Sequence, residues 1–387
     1  MLRFLSAGES HGPKISIILE GLPAGIPLHE QDINDQLARR QKGYGRGGRM
    51  KIEKDRAVIT AGVRSGETTG SPLAVEITNI DERKQQKNGA DFTKNEHKIT
   101  CPRPGHGDLA GSLKYERKDI TDISERASAR ETAARVACGA VILKMLSGLE
   151  VNVLGQVLSI GGIEAEKTIN SFDEAKKVLE SSPLRCADLE AAEKMMAAID
   201  QAKEEGDTLG GVFSIEVFNL PPGLGSFVHW DRRLDGLLAQ AVMSIPGVKG
   251  VEFGLGFSLS EKRGRQGHDA IYFDREQGFY RKTNYAGGVE AGMSNGEKLL
   301  MKAAFKPIPT LQKPLDSVKW DSREPACASV VRSDVCAVPS AAVIAESMSA
   351  FVIGQAFLDT FSRDSYPGLI KDVRQYRKQS RQGFDRE

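Results

Sequence analysis

The sequence RRQKGYGRGGRMKIEK, residues 39–54, concentrates basic side chains and glycines in one short segment. No acidic residue lies between Arg39 and Lys51, although the 387-residue chain has a formal net charge of only +1. Two cations about 8 Å apart repel by roughly 2 kcal/mol at an effective dielectric constant near 20. An exposed ion pair returns only about 0.2–1 kcal/mol. We therefore expect the segment to serve a ligand rather than the stability of the fold.

The chemistry of this segment suits an anion. Glycines at 43, 45, 47 and 48 allow the backbone to approach a ligand closely. Guanidinium groups hold phosphate or carboxylate through paired hydrogen bonds. A solvated basic loop and an RGG-type binder of single-stranded RNA are the alternatives. The segment follows a predicted helix over 30–41, so GYGRGG does not fit a dinucleotide fingerprint, which follows a strand and opens a helix.

Composition predicts a soluble globular protein, with 27% charged and 40% hydrophobic residues. The five cysteines are dispersed and form no CxxC pair, which indicates reduced thiols and a cytoplasmic location. The N-terminus lacks the apolar run of a signal peptide. The apolar segment 337–361 contains Glu346 and Asp359, so we predict a buried helix and no membrane span.

Hydrophobic periodicity predicts alternating strands and helices along the chain. The predicted strands cover residues 2–7, 15–19, 58–63, 73–77, 151–160, 211–218, 250–257 and 270–273. The predicted helices cover 30–41, 172–179, 189–203 and 234–243, an amphipathic helix that opens within 125–132 and runs to about 146, and a long helix from 340. An exposed loop is predicted over 81–98. We find no repeat or linker, and we predict one domain over 1–370 with a frayed polar tail over 371–387.

Several short motifs indicate a site. His11 and His106 lie in glycine-bracketed turns, GESHGP and PRPGHGD, whereas the other four histidines are taken as surface or structural residues. The run ERASARET opens a predicted helix, where a hydroxyl and backbone amides bind anions well. KPIPT presents an amine and a hydroxyl on a rigid turn, and VVRSD reads as a strand end before the last long helix. No spacing of His, Cys, Asp or Glu indicates a metal.

Together, GESHG, the RRQ-GYGRGGRMKIE stretch, PRPGHGD, ERASARETAARVA, GVEFGLGF, KPIPTL and RSD resemble the chorismate synthase family from residue 2 to about residue 360. The resemblance implies a carbon–oxygen lyase of the shikimate pathway. It would convert 5-enolpyruvylshikimate 3-phosphate to chorismate and phosphate by anti-1,4-elimination, with reduced FMN and no net redox change. It also implies an α+β fold, a β-α-β sandwich with helices held between antiparallel sheets, assembled as a homotetramer.

The resemblance also assigns roles to individual residues. The implied catalytic residues are His11 near the leaving phosphate, His106 beside the reduced flavin, and Asp334 managing the proton at the flavin's central ring nitrogen. The implied substrate contacts are Ser10, Arg40, Arg46, Arg49, Arg103 and Arg130. The implied flavin contacts are Arg46, Ser128, Ala129, Arg130, Pro246, Gly247, Ala291, Lys306, Pro307, Ile308, Pro309, Thr310 and Arg332. Two positions depart from the family pattern: Ile245-Pro246-Gly247 stands where some members have Ile-Asn-Ala, and Ala291 replaces a common glycine.

Other functions make distinct predictions. Nucleic-acid binding would rest on the RGG-like loop alone, without aromatic residues placed to stack bases, so we expect no nucleic-acid partner. A phosphate-binding transferase without flavin predicts no change in flavin absorbance on mixing. Some family members reduce their own flavin with NADPH, and no nicotinamide motif is evident here.

Overall fold

A computed structural model describes residues 1–47, 54–79, 98–167, 169, 171–276, 278–361 and 363–382. The predicted loop over 81–98 therefore lies almost wholly outside the described residues. The strands are β1 Arg3–Ala7, β2 Lys14–Glu20, β3 Ala57–Ala61, β4 Val63–Arg64, β5 Glu67–Thr68, β6 Leu73–Thr78, β7 Asn152–Ile160, β8 Ile163–Glu164, β9 Gly211–Phe218, β10 Val248–Phe253, β11 Ile271–Asp274, β12 Gly278–Arg281, β13 Val289–Glu290, β14 Met293–Ser294, β15 Leu299–Phe305, β16 Asp316–Val318 and β17 Pro325–Cys327. The α-helices are α1 Glu30–Gln41, α2 Asp108–Lys114, α3 Thr121–Ala127, α4 Thr132–Gly148, α5 Phe172–Ser181, α6 Leu189–Glu205, α7 Leu234–Met243, α8 Gly264–Gly267, α9 Val338–Phe361 and α10 Tyr366–Gln382.

Two antiparallel sheets enclose a layer of helices. The first sheet has the strand order β1-β2-β6-β3, and the second has the order β10-β15-β9-β7-β8. Helix α4 packs on β2 and β6 of the first sheet and on α1 and α9 beside it. Helix α9 packs on β7 and β9 of the second sheet. This layering confirms the predicted α+β fold with helices between antiparallel sheets.

The central helix α4 is buried on nearly every side, so the predicted amphipathic helix is wrong. Small side chains allow α4 and α9 to approach closely, and a Cβ on Gly139 would lie only 2.2 Å from the Cβ of Ser347. The helix also begins later than predicted. The chain is extended at Ser128, whose hydroxyl accepts a hydrogen bond from the Arg130 N–H, and a 3₁₀ turn, Ala129–Glu131, precedes α4.

Helix α9 confirms the predicted buried helix over 337–361. By length and composition it could span a membrane, but 89% of its most apolar 18-residue window lies inside the protein. Its Glu346 side chain is 1% exposed and meets two arginines, which explains an acid at the centre of a core helix.

Two predictions near the C-terminus are wrong. Residues 371–382 are not frayed, because they continue α10, which buries Leu369 and Val373 in the main core. The VVRSD run is not a strand end, because it lies in an irregular segment between β17 and α9. That segment is fixed instead by Gly45, whose carbonyl accepts a hydrogen bond from the Val335 N–H.

Candidate active site

A cavity of about 990 Å³ opens where the first turn of the chain, the start of α4 and the start of α9 meet. Eighteen of the sequence-predicted site residues line it: Ser10, His11, Arg40, Arg46, Arg103, His106, Ser128, Ala129, Arg130, Pro246, Gly247, Lys306, Pro307, Ile308, Pro309, Thr310, Arg332 and Asp334. Arg49 lies outside the described residues. Ala291 does not line the cavity and lies instead in the turn between β13 and β14.

The glycine-rich segment after α1 docks on the segment that carries Asp334. The Gly47 N–H donates to Asp334 Oδ1 at 2.6 Å, and Arg46 Nη1 lies 2.9 Å from Oδ2. A Cβ on Gly47 would lie 2.9 Å from the Ser333 carbonyl oxygen, so this close approach requires glycine. Burial lowers the pKa of the Arg46 guanidinium, and the Asp334 carboxylate opposes that shift. Asp334 therefore pairs with Arg46 at the cavity wall.

Arg40, Asp55 and Arg130 form a buried group that we call the cavity cluster. Asp55 Oδ2 accepts from Arg40 Nη2 at 2.8 Å, and Oδ1 accepts from Arg130 Nη1 at 2.6 Å. Burial alone would raise the pKa of Asp55, but the two guanidinium groups hold it below its usual range. Two cations and one anion leave a net charge of +1. Among the described residues, Arg40 Nε and Arg130 Nη2 have no hydrogen-bond partner, although both atoms are buried.

Asn79 connects the cavity cluster to the turn that carries His11. Its side-chain oxygen accepts from Arg130 Nε at 2.8 Å, and its amide nitrogen donates to the Gly12 carbonyl at 2.6 Å. The same nitrogen also contacts the carbonyls of Glu9 and Ser10. Asn79 is fully buried, so this connection is shielded from water.

His11 is held by a carboxylate. Glu125 accepts hydrogen bonds from the His11 backbone N–H and lies against His11 Nδ1, both at 2.7 Å. The backbone N–H of Ser10 also reaches the Glu125 carbonyl, and its hydroxyl accepts from the Ser128 hydroxyl at 3.1 Å. The contact of Nδ1 with Glu125 sets the orientation of the His11 ring at the cavity wall.

His106 is held in the same way. Its Nδ1 lies 2.5 Å from Asp108 Oδ1, and Asp108 also accepts from Nε and Nη2 of Arg103. Burial alone would raise the pKa of Asp108, but hydrogen bonds from His106 and Arg103 hold it well below its usual range. Arg103 also donates to Ser124 at 2.6 Å, so most of its donors already have partners. Arg103 thus braces the His106 turn and has little capacity left for an anion.

The segment from Lys306 to Thr310 lines the cavity beside the His106 turn and combines a cation with two prolines. Lys306 donates through Nζ to the Gly105 carbonyl at 2.5 Å. Burial and the nearby Lys249 lower the pKa of the Lys306 amine. Thr310 is buried, and its carbonyl accepts from the Ser333 hydroxyl at 2.8 Å. Lys249 and Arg332 also line the cavity.

Not every residue of the basic segment faces the cavity. Arg39, next to Arg40, joins Arg185, Glu180 and Glu346 in a group that we call the structural cluster. Arg39 donates to Glu346 at 2.6 and 3.0 Å and to Glu180 at 2.7 Å. Fold stability therefore does explain part of the basic segment, and our expectation to the contrary is wrong for Arg39.

Sequence reasoning missed the buried partners of the site. Asp55, Asn79 and Glu125 each hold a cavity-lining side chain, and Asp55 and Asn79 themselves do not line the cavity. Asp108 lies two residues from His106 inside PRPGHGD, so a search for acids near that histidine could have found it. Glu125 falls inside ERASARET, but it lies 114 residues from His11, so spacing does not connect the two. Asn79 gives no comparable signal, because its partners lie 51 and 67 residues away in the chain.

Comparisons with known proteins agree on one family. A family model described as chorismate synthase matches residues 2–358. Curated chorismate synthases from Moorella thermoacetica and Thermus thermophilus are each 52% identical, over 98% of this chain and 99% and 100% of their own lengths. The protein of that name from Bacillus subtilis is 49% identical over 98% of this chain and 100% of its own. A crystal structure of chorismate synthase superposes with a TM-score of 0.80 at 39% identity, covering 99% of both chains. The chain therefore belongs to the chorismate synthase family.

Proposed function

We propose that this chain converts 5-enolpyruvylshikimate 3-phosphate to chorismate and inorganic phosphate, acting as a carbon–oxygen lyase of the shikimate pathway. The observation that carries the proposal is the cavity cluster, a buried site of net charge +1 in which two guanidinium nitrogens have no partner among the described residues. A substrate with two carboxylates and a phosphate supplies the anions that such a site requires. Arg46 and the two histidines line the same cavity, so charge and proton-transfer groups converge there.

The cavity also fits reduced FMN. Its volume of about 990 Å³ is at the upper end of the roughly 300–1,000 Å³ typical of ligand pockets, which leaves room for a cofactor beside a substrate. Lys306 and Arg332 suit the flavin phosphate, and the apolar wall of Pro246, Pro307 and Ile308 suits an aromatic ring. When bound, reduced FMN supplies electron density that helps phosphate leave, since the hydrogen that is lost is not acidified by a carbonyl group.

The proposal assigns a different role to each group of cavity residues. Arg40, Arg46 and Arg130 bind and orient the anionic substrate. His11, oriented by Glu125, lies at the cavity wall and donates a proton or a hydrogen bond to the departing phosphate. His106, braced by Asp108, places a second imidazole in the cavity, where it would donate a hydrogen bond or a proton to bound reduced FMN. Asp334 accepts a proton on its carboxylate during turnover, and its bond to the Gly47 N–H fixes that carboxylate.

Assembly and location belong to the same proposal. We place the enzyme in the cytoplasm as a homotetramer, with one catalytic domain that extends past the predicted boundary at residue 370 to the end of α10. Large apolar side chains on the surface support self-association: Phe227, Val228 and Trp230 are exposed together, as are Ile271, Phe273 and Phe279 of the β11–β12 hairpin. A direct assay with NADPH would show whether the enzyme reduces its own flavin.

An anaerobic reaction tests the proposed function. The purified chain is mixed with dithionite-reduced FMN and 5-enolpyruvylshikimate 3-phosphate, and phosphate and chorismate are measured. We expect both products in equal amounts, and none with oxidised FMN alone. Phosphate release without chorismate would identify a phosphatase instead, and product formation without flavin would remove the cofactor from the proposal.

A further inference from the structure

Asp55 joins two arginines that both face the cavity, yet its own side chain is fully buried behind them. Its two oxygens contact different guanidinium groups, Oδ2 at 2.8 Å from Arg40 and Oδ1 at 2.6 Å from Arg130. A carboxylate placed between two cations fixes the separation of those cations and removes their mutual repulsion.

Each arginine is also fixed at a second point. Arg40 Nη1 donates to the Thr132 hydroxyl at 3.2 Å, and Arg130 Nε donates to Asn79 at 2.8 Å. Once these bonds are made, Arg40 Nε and Arg130 Nη2 are left without partners among the described residues. A buried donor without a partner costs free energy, so the arrangement lowers stability while it holds two guanidinium groups at the cavity wall. Such a cost is expected of a binding site rather than of a structural cluster.

We infer that Asp55 is a positioning residue, which holds Arg40 and Arg130 as a preformed pair for one anionic group of the substrate. The inference rests on the proposed function, because the substrate supplies that group. A carboxylate and a phosphate share the chemistry that the pair recognises, since both accept from guanidinium donors.

The variant Asp55→Asn tests this inference, because positioning and simple electrostatics predict opposite changes in substrate affinity. The amide can still accept from one arginine, but its NH₂ group faces the donors of the other, so the pair separates. Positioning therefore predicts weaker substrate binding, by about 10- to 100-fold, which is the loss of a charge-assisted contact. Simple electrostatics predicts tighter binding, because the net charge of the cluster rises from +1 to +2.

The experiment measures substrate binding by calorimetry together with KM and kcat under anaerobic conditions. We expect a raised dissociation constant and KM, with kcat at saturating substrate changed less than threefold. Glu346→Gln is the matched control, since Glu346 also bridges two buried arginines but does not line the cavity. It should lower the unfolding midpoint without changing KM by more than about twofold. Equal effects of both variants on KM would overturn the inference, as would tighter binding by Asp55→Asn.

A double variant keeps the test usable if Asp55→Asn folds poorly. The variant Asp55→Asn/Arg40→Gln removes the donor clash and should fold, and it is compared with Arg40→Gln alone. If Asp55 acts by holding the pair, the double variant should bind the substrate within about threefold of Arg40→Gln, because that substitution already breaks the pair. A further loss of about 10-fold or more in the double variant would show that Asp55 acts independently of Arg40 and would overturn the inference.

Inorganic phosphate, and shikimate as a carboxylate without phosphate, identify the group that is held. The probe whose binding Asp55→Asn weakens shares that group with the substrate. Unchanged binding of both probes and of the substrate would overturn the inference. Failure of the proposed function is a separate result, because wild-type enzyme would then form no chorismate even where these probes bind.

Discussion

Arg39 and Arg40 are consecutive residues of one helix, yet they belong to two buried charge clusters with different balances. In the structural cluster, two arginines meet two glutamates, and every guanidinium nitrogen of Arg39 and Arg185 donates a hydrogen bond. In the cavity cluster, two arginines share one aspartate, and two nitrogens lack partners among the described residues.

The difference separates a structural use of buried charge from a binding use. A neutral, fully hydrogen-bonded cluster ties elements together, here α1, α5, α9 and β7 through Gly155. A cluster with excess positive charge and unused donors is stable only at a cost, and an anion relieves that cost. The comparison predicts that damage to the first cluster changes stability, whereas damage to the second changes binding.

The largest expected effect on stability lies in the structural cluster. Glu346→Ala should lower the free energy of unfolding by about 3–5 kcal/mol, because it leaves two buried guanidinium groups with one carboxylate between them. Denaturant titration measures this loss, and substrate affinity of the folded variant should stay within about twofold of the wild type. A loss below about 1 kcal/mol would show that the cluster is not structural.

A substitution of Asp334, which lines the cavity, should change turnover rather than stability. Asp334→Asn keeps the shape and one acceptor for the Gly47 N–H but removes the base. Single-turnover chorismate formation should fall by about 10²-fold or more, with near-normal affinity for FMN and substrate. If the variant loses flavin affinity but turns over normally at saturating FMN, Asp334 positions the cofactor and the proton leaves by another route.

Neighbouring substitutions in α1 give the most direct contrast. Arg40→Ala should weaken substrate binding by about 1.5–3 kcal/mol through the loss of a charge-assisted contact. Arg39→Ala should instead lower stability, because it leaves Glu346 and Glu180 with only Arg185. Calorimetry and denaturant titration on both variants measure the two quantities. If Arg39→Ala weakens binding as strongly as Arg40→Ala does, the two clusters are not functionally separate.

Asp108 provides a pH test at the cavity. Its pKa is lowered in the folded protein, so its charge stabilises the fold above the unfolded value of about 3.9, and that stability is lost as the pH falls further. Asp108→Asn should cost about 1–3 kcal/mol at pH 7. The difference in unfolding free energy between wild type and variant should shrink below about pH 4. A difference that is constant from pH 7 to pH 3 would show that the charge of Asp108 contributes nothing.

The sequence was most informative where periodicity and turn residues agree. The bounds of α1, β9 and α7 match the predicted ranges, because each has a clear apolar face or strand pattern between turn signals. The charge balance of the basic segment could be predicted only in part: Asp55 directly follows the segment, but the acids that meet Arg39 and Arg46 come from distant parts of the chain. Glu180 and Glu346 are 141 and 307 residues from Arg39, and only the packing of α5 and α9 brings them together.

The smallest expected effect lies outside both clusters, at Ala291. This residue and Gly292 form a two-residue turn between β13 and β14, with φ of +52° and +80°. Both central positions of such a turn need positive φ, which glycine adopts freely and alanine does not. Ala291→Gly should therefore raise the free energy of unfolding by about 0.5–1 kcal/mol, and Ala291→Val should lower it because a β-branched side chain suits this conformation worse. Denaturant titration of the pair measures both changes. Equal stability of the glycine and valine variants would show that the turn relaxes in solution.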